Sequence, residues 1–87
     1  PSDASTLVQA PAPESFTGKT IQDLDVRRKY KVTVVAIRRT TRQTAADGTQ
    51  QTQHVVLSVP MPETVIESGD VLLLIGKNDA IQSFPVG

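Results

Sequence analysis

Five consecutive aliphatic residues, Val71-Leu72-Leu73-Leu74-Ile75, stand between Gly69-Asp70 and Gly76. The run is far short of the roughly 20 apolar residues a membrane helix needs, so, bounded by glycines, it reads as a buried strand. A second apolar run supports the same kind of fold. From Val32 to Ile37 apolar side chains occupy both parities, Val32, Val34 and Ala36 against Val35 and Ile37, the pattern of a central strand covered on both faces.

The rest of the chain supplies partners for these two strands. Residues 1–15 are rich in Pro, Ala and Ser, with Pro11 and Pro13 blocking helix, and read as a linker over 1–6 feeding a short strand at Thr6–Gln9, with the domain spanning 7–87. Thr20 stands three residues before Asp23, so its hydroxyl can accept from an orphan amide at a helix start. Ile21 and Leu24 share a face and Arg27, Arg28 and Lys29 suit the last turn, which predicts one helix ending near Tyr30. Arg38 to Gln53 is almost wholly polar, and Asp47-Gly48 in its middle suits a type I′ hairpin turn, predicting a projecting hairpin. Val55–Val59 resumes as a strand that Pro60 and Pro62 end. Asn78 or Asp79 can cap a final helix through Phe84. The predicted order is β-α-β-β-β-α, an α+β (α/β-like) fold with a small mixed sheet and two helices.

Composition narrows the partners. Nine Lys plus Arg balance nine Asp plus Glu, so no overall field draws the chain to nucleic acid or an anionic membrane. Aromatics are 3% of the 87 residues, so the core is expected to rest on Val, Ile and Leu, and one this small often completes itself by pairing with a second copy. Without cysteine there is no thiolate metal site, and the single His54 lacks a spaced partner for zinc. Nucleophilic catalysis finds no Cys, and no Ser or Thr is spaced to share His54 with an acid. No enzyme activity is expected. Thr17-Gly18-Lys19-Thr20 is like the end of a phosphate-binding loop, but Pro13 stands where that loop needs glycine. The chain opens on Pro1 rather than methionine and is expected to be a piece of a longer protein.

Three stretches, Phe16–Asp25, Val32–Arg39 and Val59–Gly76, together and in this order and spacing, resemble the TrkA-C domain, the C-terminal lobe of regulators of potassium conductance. The resemblance runs from about Leu7 to Phe84. It implies a regulatory lobe on the cytoplasmic side of a potassium channel, transporter or other ion permease, without catalysis or membrane insertion. Family members dimerise, and some hold a small effector such as cyclic di-AMP between two copies. Lys31 departs from the family, which usually has Gly at the end of the first helix, and this argues against a left-handed cap there.

The implied cleft would be lined by Ile37, Arg38, Arg39, Arg42, His54, Val55 and Pro60. Guanidinium forks suit phosphate oxygens, although a solvated strand end is the plainer reading of the three arginines. His54 could bond a base or phosphate, or be a simple surface histidine. A shared sheet or apolar face would bury Val35, Ile37, Val56 and Leu74. Glu63, Glu67 and Asp70 form an acidic turn whose spacing fits no dedicated cation loop. The rival to a sensor is a purely structural oligomerisation module, whose arginines would be scattered or paired with acids.

Overall fold

A computed structural model describes residues 4–87 of the chain. The aliphatic run becomes strand β4 (Val71–Lys77), flanked by β1 (Ser5–Pro11) and β2 (Val32–Thr44), with β3 (Gln50–Ser58) outside β2. The sheet order is β1-β4-β2-β3, and every pairing is antiparallel. Of the expected linker, residues 1–3 lie outside the described residues, and pairing already begins at Ser5 opposite Lys77, two residues ahead of Leu7.

The both-parity run has a different cause from the expected one. Between Val34 and Ala36 the register against β4 shifts by one residue, leaving Val35 as a β-bulge. A bulge reverses the inward and outward alternation that follows it. Val34 and Ile37 therefore share a face, opposite Leu74 and Leu72, and the helices cover that face alone. The strand is central, yet only one of its faces is buried by this chain.

The first helical stretch is broken in two. Thr20 caps α1 (Ile21–Leu24) as its spacing predicts, its hydroxyl accepting from Asp23 N–H at 3.1 Å. Asp25 then turns left-handed at φ 48°, a conformation Asp tolerates, and α2 (Val26–Tyr30) restarts behind it. Lys31 closes α2 in the left-handed region at φ 61°, so this cap forms without glycine. The final helix α3 (Asn78–Gln82) stops before Phe84 and has no side-chain cap, because its N-cap position falls on Lys77, which carries no acceptor, while Asn78, already the first helical residue, is bonded to Thr6.

The core lies between sheet and helices. Ile37, Leu72 and Leu74 from the sheet meet Phe16, Leu24, Val26, Ile66 and Phe84. All three aromatic residues take part, Phe16, Tyr30 and Phe84 forming a triangle with ring centroids 5.5 to 5.9 Å apart. The core is mainly Val, Ile and Leu, as the composition predicts, with this aromatic triangle packed against it. Beyond Arg38, where pairing with β4 stops, β2 and β3 continue alone as a two-stranded arm. Its turn is longer than type I′: Gly48 N–H bonds Ala45 O, Ala45 N–H bonds Thr49 O, and of Asp47-Gly48 only Gly48 has positive φ.

Candidate functional site

The bulge decides which side of β2 each candidate residue presents. Ile37 falls on the helix face and is wholly buried in the core. Arg39, two residues on, falls on the same side and reaches the turn before β4. Its Nε and Nη2 donate to Asp70 at 3.0 and 2.8 Å, Nη2 also donates to Val65 O at 2.9 Å, and Nη1 pairs with Glu67 at 2.9 Å. Asp70 is 1% exposed and takes a further hydrogen bond from Glu67 N–H. The hydrogen bonds that Arg39 donates to Asp70, with the charges of Asp70 and Glu67, hold its guanidinium above its ordinary value against the opposing effect of burial. Arg39 is therefore occupied, and the acidic turn is built around it: Asp70's oxygens face Arg39 and Glu67 N–H. Val55, opposite Arg39, is on this side too.

The opposite face of β2 and β3 carries the other candidates. Arg38 lies opposite Val56, Thr40 opposite His54, and Arg42 opposite Thr52. Thr40 Oγ1 and His54 Nδ1 are 3.2 Å apart, which fixes the imidazole between the two arginines. Continuing across the sheet, the same face presents Leu73 and Ile75 of β4 and Leu7 of β1. No helix covers it: Val56 is 59%, Leu7 61% and Ile75 39% exposed. The sheet residues of this face include no carboxylate, so a chain of zero net charge has one face whose end is cationic and whose middle is apolar.

Pro60 lies elsewhere. After β3, Val59 takes φ 52° while its N–H bonds the carbonyl of the bulged Val35. Pro60 then lines a groove of about 710 Å³ with Pro62, Val35, Ile21 and Gln22. Of the apolar residues expected at a dimer face, Val56 is on the open face and Val35 in this groove, whereas Ile37 and Leu74 are core. The structure thus brings together Arg38, Arg42 and His54, and separates Arg39, Ile37, Val55 and Pro60 from them. The groove residues Ile21 and Gln22 were missed, and the prolines after β3 were the only sign in the sequence that a concavity forms there.

With this geometry in view, the chain can be set beside known proteins. No family model matches it. The Ktr system potassium uptake protein C of Bacillus subtilis (strain 168) is 32% identical over 83 residues, covering 95% of this chain and 32% of that protein. The chain therefore spans about a third of the length of this curated relative. Among solved structures, the GsuK RCK domain superposes with a TM-score of 0.69 at 29% identity, covering 95% of this chain and 16% of that one. The GsuK channel bound to NAD gives 0.70 at 28% identity, covering 92% and 13%.

Proposed function

We propose, from the premise that this chain is a TrkA-C domain, the C-terminal lobe of a regulator of potassium conductance, that it is the dimerising, ligand-sensing part of a potassium or other ion transporter. It acts on the cytoplasmic side and catalyses nothing. Homology to a potassium uptake protein and to RCK domains supports the regulatory part of this reading. One observation carries the sensing part: Arg38, Arg42 and His54 share one uncovered face whose sheet residues include no carboxylate, where phosphate oxygens would find guanidinium donors. Two copies apposed through that face double the charge. A ligand favoured by one arrangement of the pair then shifts the attached pore by its difference in affinity.

The effector on this reading is a phosphate-bearing dinucleotide, cyclic di-AMP among them, and NAD belongs in the same panel because a GsuK structure holds it. Thermal denaturation with cyclic di-AMP, NAD, ATP and divalent cations tests the reading. A ligand at 100 times its dissociation constant stabilises by about 2.7 kcal/mol, a shift that Arg38→Ala with Arg42→Ala removes. No shift across the panel, with a dimer in light scattering, favours the rival reading of a structural oligomerisation module. Arg39's pairing with Asp70 and Glu67 is the observation on that side.

A further inference from the structure

At the end of the sheet remote from Arg38, a second groove of about 600 Å³ opens between α2, the end of β4 and α3. Lys29, Lys31 and Lys77 line it, with Tyr30, Ala80 and Ser83 between them and Asp79 as its one carboxylate. Asp79 Oδ1 is engaged by Ala80 N–H, and among the described residues none of the three lysines forms an ion pair.

Three local costs meet here. Lys31 is held at φ 61°, which a residue with a Cβ adopts at a penalty that glycine escapes. The β2 to β4 register ends at Val32 opposite Gly76, and just beyond it the like charges of Lys31 and Lys77 line the same groove. Gly76 tightens this approach: a Cβ there would stand 2.8 Å from Val32 Cγ1 and 3.3 Å from the Lys31 carbonyl. Lys77 also heads α3 without a side-chain cap, a place that suits a carboxylate better than a cation. The C-terminal end of α2 favours Lys29 and offsets part of the charge of Lys31. Among the described residues of the groove, Asp79 is the one carboxylate set against Lys77 and the other two lysines.

We propose that this groove binds an anion carrying at least two negative charges on phosphate, which relieves the repulsion among Lys29, Lys31 and Lys77. The volume admits a ligand of nucleotide size. The anion comes from a free polyphosphate or from a lipid headgroup. About seven residues of strand, roughly 23 Å, separate Lys31 from Arg38, so the site is independent of the open face.

Titration with inorganic pyrophosphate by calorimetry, and co-sedimentation with vesicles containing cardiolipin, whose headgroup carries two phosphates, distinguish the two sources. Binding to either, about tenfold weaker in Lys31→Gly and in Lys77→Gln, unchanged in Arg38→Ala, and weakening as salt rises, is the expected result. Lys31→Gly should at the same time raise the Tm by roughly 4 °C, because glycine relieves the backbone and the substitution removes a repulsive charge. Lys77→Gln keeps the backbone and reads the charge alone. The proposal is overturned if neither probe binds, if the lysine variants bind as tightly as the parent, or if Arg38→Ala abolishes binding.

Discussion

Arg39 ties the strand β2 to the turn before β4 through Asp70, Glu67 and the Val65 carbonyl. In the row Arg38-Arg39 both guanidiniums look alike, and only the bulge at Val35 determines that Arg39 turns inward to Asp70. No local signal in the sequence reports a one-residue register shift against a strand 35 or more positions away. Removing Arg39 leaves a carboxylate at 1% exposure with only Glu67 N–H to compensate it. Arg39→Ala should therefore cost about 3 kcal/mol in urea denaturation, and Arg39→Lys less, since an ammonium keeps a positive charge opposite Asp70 although it cannot make the paired bonds. An unchanged midpoint would mean that the pair contributes nothing. Asp47 is a different case, fully exposed at the arm's tip. Thr49's hydroxyl and N–H donate to its Oδ1 at 2.7 and 3.0 Å and hold the carboxyl below its ordinary value near 3.8. A depressed folded value means a contribution present above the ordinary value and lost as pH falls through the folded one. The Thr49 amide resonance should hold its position from neutral pH to about 4 and move only below it, and Asp47→Asn should abolish that movement.

At the scale of elements, the sequence is legible wherever the local pattern and the tertiary fold agree. The strand order, the Thr20 cap and the breaks at Pro60 and Gly69 follow from side-chain chemistry within a few positions. The helix break at Asp25 and the length of β2 do not. Helix periodicity continues unbroken through Asp25; Asp47-Gly48 announced the hairpin, but the polar residues Thr40–Gln53 do not show how far its strands run, because neither side of the arm packs on a core. A two-stranded ribbon without an apolar face is marginal in water, so the arm should open independently of the body. Hydrogen exchange is expected to be fast at Thr41–Thr44 and Gln50–Gln53 and slow at Ile37 and Leu72. Gly48 has φ 87° with no atom within 4 Å of a built Cβ, so Gly48→Ala carries a conformational penalty of about 1 kcal/mol and no clash. That penalty should speed exchange in the arm while the global midpoint stays within about 0.5 kcal/mol. Loss of global stability instead would show that arm and body fold as one unit.

For the whole molecule, the sheet has helices on one side only, and the arm draws the shape out to 54 × 26 × 23 Å. Zero net charge, read from composition, hid the separation that the fold produces: carboxylates gather in turns and helices, while the open sheet face ends in Arg38, Arg42 and His54. Its apolar middle, Leu7, Val56, Leu73 and Ile75, stays in water in the single chain, and apolar area of this kind is the usual mark of an interface. A two-fold contact through this face would cover that middle and bring both sets of cations to its rim, leaving a place for an anion between copies. Ile75→Asp separates this arrangement from a monomer with a greasy surface. Ile75 is already 39% exposed, so a carboxylate there disturbs one chain little, whereas in a buried two-fold contact two unpaired carboxylates face each other. Light scattering should give a dimer mass for the parent and a monomer mass for Ile75→Asp, with circular dichroism unchanged. A variant that remains dimeric would move the interface off the open face, to the β3 edge or the Pro60 groove, and Arg38 and Arg42 would then bind any anion from one copy alone.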